Sequence, residues 1–184
     1  MVATVLAACG GPQFAPGNQP DPMGTLPGMG PLPLDQVLIL EQSGISPSDT
    51  MVRFAAARGR TVLMRHAPPD NAIFAVIDIP PDSGATDSIT VTIRPVPGRY
   101  GVRFAAVPRL PGRATITFSY AVHFLAPPLD GSRHRSEATY ANWLGIGRVT
   151  GDDRLAFQPF SRPAADMLRS ALPQGGEYLV AAPK

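Results

Sequence analysis

Period-two alternation of apolar side chains restricts this chain more than any other feature. It is clearest where Ile116, Phe118, Tyr120, Val122 and Phe124 alternate with Thr115, Thr117, Ser119, Ala121 and His123. A strand points successive side chains to opposite faces, so a run of this kind has one face on a core and the other toward water. The pattern recurs with Val52, Phe54 and Ala56 against Arg53 and Ala55, with Ile89, Val91 and Ile93 against Ser88, Thr90 and Thr92, and with Tyr100, Val102, Phe104 and Ala106 against Arg99, Gly101, Arg103 and Ala105.

Further strands are expected at Thr61 to His66, Ala72 to Ile79, Asn142 to Val149, Leu155 to Phe157 and Glu177 to Ala181. The run from Ala72 to Ile79 is nearly continuous in apolar residues, which suits a central strand covered on both faces. Turn clusters such as Pro80-Pro81-Asp82-Ser83-Gly84, Pro97-Gly98, Asp130-Gly131 and Thr150-Gly151-Asp152-Asp153 separate these runs. Short strands at this spacing predict an all-β fold, an antiparallel β-sandwich of immunoglobulin-like kind. One short C-terminal helix is expected over Pro163 to Leu172, with Ser161 as its cap and Ala164, Met167, Leu168 and Ala171 on one side. Val52-Arg53-Phe54-Ala55-Ala56 is echoed by Val102-Arg103-Phe104-Ala105-Ala106, and each copy is followed by a turn and another strand. The echo predicts two antiparallel hairpins.

The first 34 residues stand apart. From Gly10 to Pro33 the chain reads GGPQFAPGNQPDPMGTLPGMGPLP, in which proline and glycine disfavour helix and sheet alike. Residues 1–34 are therefore expected to be an anchor remnant and an extended Pro/Gly-rich arm, and residues 35–184 the sandwich. Phe14, Met23, Leu26, Met29, Leu32 and Leu34 are the apolar residues that could pin the arm to a partner. Ahead of it, an uncharged apolar start closes on Leu6-Ala7-Ala8-Cys9, and Cys9 is the only cysteine. That tetrapeptide resembles the lipobox of bacterial lipoproteins. The resemblance implies cleavage before Cys9, diacylglycerol on its sulfur and an acylated amino terminus, hence a lipid anchor on the periplasmic face of a membrane. The stretch before Cys9 departs from the pattern, being short and lacking the positively charged region of a signal peptide.

A single cysteine excludes an internal disulfide framework and a Cys-rich zinc module. No run of about 18 apolar residues occurs, so no spanning helix is expected. The net charge of +2 is too small to act as a footprint for nucleic acid. Lys184 is the only lysine; every other basic residue is arginine, as a GC-rich coding bias would produce without selection. Arginine also makes forked contacts with carboxylates and phosphates.

No catalytic constellation is legible. His66, His123 and His134 fall on separate elements without metal-ligand spacing, although His66 and His123 could meet across a sheet. Gly44-Ile45-Ser46-Pro47 is not a nucleophile elbow, and phosphate-binding and dinucleotide fingerprints are absent. The acidic loops at Asp82 to Asp87 and Asp152-Asp153 lack the ligand periodicity of a calcium loop. Asp130-Gly131-Ser132-Arg133-His134-Arg135-Ser136-Glu137 concentrates positive charge on a loop ahead of Tyr140, Asn142 and Trp143, the only tryptophan. Arg133, Arg135 and Trp143 are thus candidate partner-binding residues, Trp143 being alternatively the core tryptophan of the sandwich.

Two functions are compatible with these features. The first is a non-catalytic, membrane-tethered extracytoplasmic subunit of a larger protein assembly, without cofactor or metal. Respiratory and photosynthetic membrane complexes, by analogy only, carry accessory subunits of this description. The second is a periplasmic ligand- or metal-binding sandwich, or an enzyme whose site is built from loops around the histidines.

Overall fold

The computed structural model describes residues 30–110 and 112–184. Its strands are β1 (Leu32–Pro33), β2 (Val37–Ile39), β3 (Glu41–Gln42), β4 (Thr50–Ala55), β5 (Arg60–Arg65), β6 (Ile73–Ile79), β7 (Ser88–Pro95), β8 (Gly101–Val107), β9 (Thr115–Ser119), β10 (Phe124–Leu125), β11 (Gly145–Thr150), β12 (Arg154–Phe157), β13 (Phe160–Ser161), β14 (Met167–Ala171) and β15 (Gly176–Pro183), with one α-helix, α1 (Glu137–Trp143). The large sheet runs β1-β12-β11-β15-β8-β7-β4, with β2 also paired to β15, and the second sheet runs β13-β14-β9-β6-β5. Every pairing is antiparallel, and one continuous core joins Val91, Val102, Tyr178 and Val180 of the first sheet to Ile77, Ile116, Phe118 and Leu168 of the second. The all-β sandwich expected from the alternation is the fold observed.

A second, smaller core lies on the other side of the large sheet. Only Leu34–Gln36, a 3-10 turn, joins β1 to β2. From Pro33 to Val37 the chain reaches at most about 14 Å, whereas a flat sheet would hold these two strands roughly 19 Å apart, four strand spacings. The sheet therefore curls, and the curl closes on Val37, Leu155, Leu179 and Ala181, with Leu32, Val149 and Phe157 packed around them. Two glycines make room for this core. A Cβ at Gly147 would lie 2.4 Å from Leu155 Cγ, and one at Gly101 would lie 2.4 Å from Leu179 Cδ2.

The curl relocates the doubly covered strand. That strand is β15: Tyr178, Val180 and Ala182 enter the main core while Leu179 and Ala181 enter the second. The run at Ala72 to Ile79, expected in that role, forms β6 and leaves Val76 and Asp78 half-exposed, with Asp78 Oδ1 accepting from the Thr61 hydroxyl at 2.8 Å. The extra apolar side chain, Phe74, turns inward because the β5–β6 register slips at a bulge between Met64 and Arg65.

The helix expected over Pro163 to Leu172 is absent. Met167–Ala171 is strand β14, paired with β9 from Met167↔Ser119 to Ala171↔Thr115. Leu168, Ser170 and Leu172 point inward, a period-two set that the apolar residues alone disguise as helical. A single isolated helical window this short does not sustain itself, and ladder bonds to β9 outweigh it. The helix lies instead at Glu137–Trp143, where a strand had been expected from Asn142. Ser136 caps it: its hydroxyl accepts from the Thr139 amide at 3.2 Å, and Thr139 Oγ1 accepts from the Ser136 amide at 3.0 Å.

Two further expectations are corrected. The echoed segments are not hairpins. β4 pairs with β7 while β5 pairs with β6 in the other sheet, and β8 and β9 are likewise split between sheets. Each copy is a corner that carries the chain across the sandwich, the first through a 3-10 turn at Ala56–Arg58 and Gly59 at φ +62°. The long alternation from Ile116 also stops early, at Ser119. The Tyr120 hydroxyl is fixed to Ala165 O and to Arg162 Nη1, both at 2.9 Å, and His123 takes φ +57°. The chain bends there, and Phe124–Leu125 pair with Glu41–Gln42, leaving Phe124 exposed instead of inward.

Candidate functional site

One end of the sandwich gathers two of the three histidines. His66 follows β5 and His123 follows β9, and their rings approach to 4.9 Å between centroids. His66 is only 2% exposed, lying edge-on to Phe74 with the rings 5.3 Å apart. The Tyr100 hydroxyl donates to Val122 O, so its oxygen is left to accept from His66 Nε2–H at 3.3 Å. That assignment leaves His66 Nδ1 as an acceptor, and it has no partner among the described residues. Burial, then the neighbouring His123, holds the His66 imidazole below the ordinary histidine range, while Asp70 opposes the shift. His123 Nε2 donates to Asp70 Oδ2 at 2.6 Å, and its ring lies over Gly44, where a Cβ would come within 3.3 Å of Nδ1. Burial also pushes the Tyr100 phenol well above its usual value, which keeps it a neutral donor.

The meeting of His66 and His123 was legible as an option in the sequence. Asp70 and Tyr100 were not, since Asp70 reads as a turn residue after Pro68-Pro69 and Tyr100 as one member of an alternating strand. Among the described residues, no three His, Cys, Asp or Glu side chains converge closely enough to hold a metal ion.

A second constellation surrounds the loop before α1. His134 is buried and donates through Nε2 to Pro183 O at 2.6 Å, while Arg133 Nε donates to Lys184 O at 2.8 Å. This loop therefore clasps the end of β15. The Arg133 guanidinium lies 5.6 Å from the centre of the Trp143 ring, a cation–π contact, and Arg135, two residues further along the chain, is exposed. Trp143 is 38% exposed and is not the core tryptophan of the sandwich; buried Tyr140 of the same helix enters the core, its hydroxyl donating to Leu38 O at 3.2 Å. Burial raises the Tyr140 phenol above its ordinary range. Next to this corner a groove of about 430 Å³ opens between Asp35, Glu41, Arg99, Asp130 and Lys184.

Of the other sequence-predicted site residues, Cys9, Phe14, Met23, Leu26 and Met29 lie outside the described residues. Leu32 lies in β1, opposite Leu155, and packs into the chain's own second core. Leu34 packs there too. Arg154 fastens the same segment, donating through Nε and Nη2 to Pro31 O at 3.0 and 2.7 Å. The acidic loops serve as turns: Asp82 Oδ1 accepts from the Gly84 amide at 3.2 Å, and Asp152 and Asp153 both take positive φ. No helix of the described residues is long and apolar enough to cross a membrane.

No protein-family model matches the chain, and neither the curated proteins nor the solved structures contain a significant match to it.

Proposed function

We propose that this chain is a non-catalytic structural or binding subunit of a membrane-associated protein assembly, held on the periplasmic face through a lipid on Cys9. The observation that carries the reading is the fastening of the arm to the body. The segment downstream of Leu6-Ala7-Ala8-Cys9 enters the large sheet at β1, where Arg154 grips Pro31 O and Leu32 helps close the second core. A pull on the anchor is thereby delivered to a sheet and not to a loop. The Arg133–Trp143 corner supports the binding side of the reading, because an exposed tryptophan in cation–π contact with an arginine is a side-chain pair of the kind enriched at the hot spots of protein interfaces.

The test is to isolate membranes carrying the chain, solubilise them in mild detergent and separate complexes without denaturation. Comigration with one large complex that survives moderate salt, with diacylglyceryl-cysteine found at Cys9 by mass spectrometry, is the expected result. Recovery as a free species of its own mass with an unmodified Cys9 would sink the proposal.

The contact between His66 and His123 favours a second reading, a small polar ligand or a metal ion bound at that end of the sandwich. Two imidazoles would supply part of the coordination and the ligand or water the rest. Calorimetric titration with zinc or copper ions decides it. Saturable binding lost in His66→Ala supports a metal ion at this end, and absence of binding removes the metal form of the reading.

A further inference from the structure

The four outer edges of the two sheets are not equally protected. β1 has two residues, one of them Pro33, and β13 has two residues flanked by Pro159 and Pro163. β5 carries an arginine at each end, Arg60 and Arg65, and its register with β6 slips between Met64 and Arg65. Short length, proline, end charges and bulges are the ordinary means of preventing edge-to-edge pairing. β4 has none of them. Its six residues Thr50–Ala55 hold unbroken register with β7, contain no proline, and include a single charge, Arg53. Alternate amides and carbonyls of β4 face away from β7, and no group among the described residues bonds to them. Its core-side residues Val52 and Phe54 are only half-buried, and Met51 on the outer face is 69% exposed.

We propose that this edge joins two copies of the chain by antiparallel β4–β4 pairing centred on Val52. A two-fold axis perpendicular to a sheet keeps core faces on the same side, so paired residues must share a face. Two registers satisfy that condition near the middle of the strand. Centring on Arg53 sets the two arginines directly opposite each other, which is unfavourable. Centring on Val52 sets Val52 against its counterpart, Phe54 against Thr50 and Met51 against Arg53. In that register Arg53, which has no ion-pair partner among the described residues, faces the uncharged Met51 and lies diagonal to both Asp49 and Arg53 of the second copy. Asp49 is exposed on the same outer face and pairs with Arg94 of β7 at 3.2 Å. The avoidance of directly opposed arginines and the covering of Val52 and Phe54 thus select the same alignment, and the strand fits a second copy of itself.

Sedimentation of the full chain across a concentration series, with a thiol reductant present so that Cys9 cannot cross-link, tests the proposal. The wild type is expected to form a reversible dimer. Met51→Lys sets like charges opposite each other at two symmetry-related positions and is expected to weaken association about tenfold. Adding Arg53→Glu to Met51→Lys restores it, because lysine then faces glutamate. Leu63→Lys on the exposed edge strand β5 leaves it unchanged. Thermal melts of the dilute monomers verify that each variant is folded, Met51 and Leu63 both being exposed. A wild type that stays monomeric throughout overturns the proposal. So does a Met51→Lys dimer as tight as the wild type, a double variant without restoration, or a dimer broken by Leu63→Lys.

Discussion

Gly147→Ala is the substitution that probes the curled sheet most directly. The added methyl would sit 2.4, 2.6 and 2.9 Å from Cγ, Cδ2 and Cδ1 of Leu155. Carbon atoms in contact prefer separations of about 3.5 to 4.0 Å, so Leu155 must retreat by roughly an ångström. It has nowhere to go. Leu155 is fully buried between Leu179, Ala181 and Val37, and its strand is paired on both sides, with β11 and with β1. Overpacking of a closed core costs about 1–3 kcal/mol. The confinement on both sides argues for the upper half of that range, about 2–3 kcal/mol, which lowers the thermal midpoint by roughly 5–10 °C in a chain of this size.

Chemical denaturation followed by far-ultraviolet circular dichroism measures the loss, and Gly151→Ala supplies the control. A Cβ at Gly151 meets nothing within 4 Å and its φ is not in the left-handed region, so the control should fall within about 0.5 kcal/mol of the wild type. Leu155→Ala alone should cost about 2–5 kcal/mol. Combined with Gly147→Ala it should cost less than the sum by at least ~1 kcal/mol, because the new methyl occupies part of the vacated space. A Gly147→Ala protein as stable as the Gly151→Ala control, or strict additivity in the double variant, would refute the account of a second core closed by the curl.

The remaining predictions concern the histidine end and the helix. Burial holds the His66 pKa below its unfolded value, so the unfolded chain takes up the proton first as pH falls through about 6.5, and the folded state loses stability from there downward. The slope contributed by this group has a ceiling of about 1.4 kcal/mol per pH unit, and His66→Phe, which can keep the edge-on packing against Phe74, should flatten the stability curve between neutral and mildly acidic pH relative to wild type; parallel curves would show that His66 does not titrate on unfolding. Ser136→Ala removes the cap of α1 and should cost about 1 kcal/mol in denaturant midpoint analysis, with faster hydrogen exchange at the Thr139 amide as its local signature, and an unchanged exchange rate would contradict the capping geometry.

Local pattern was a good guide wherever burial is one-sided. The strands of β7, β8 and β12 lie within a few residues of their expected bounds because an alternating side chain reports directly which face meets the core. It misled where the deciding contact is distant. Met167, Leu168 and Ala171 suit a helix face as well as a strand, and the choice was made by β9, a partner some fifty residues earlier in the chain. The cap pair Ser136 and Thr139 stands in the sequence, but serine and threonine at the end of a charged loop suit a turn as well as a helix start. Arg133 and Trp143 do meet at the surface, but the buried member of that loop, His134, spends its proton on Pro183 O.

What the sequence determined by itself is therefore the all-β class and the turn positions. Those follow from dihedral limits and from side-chain alternation, which act over a few residues. Tertiary structure alone decided that Val52-Arg53-Phe54 and its echo begin corners and not hairpins, that β15 is covered on both faces, and that His66, Asp70, Tyr100 and His123 share one end of the sandwich. Each of these depends on which strand lies beside which. Pairing is fixed by the total burial and hydrogen bonding of the whole chain, a sum that no local window contains.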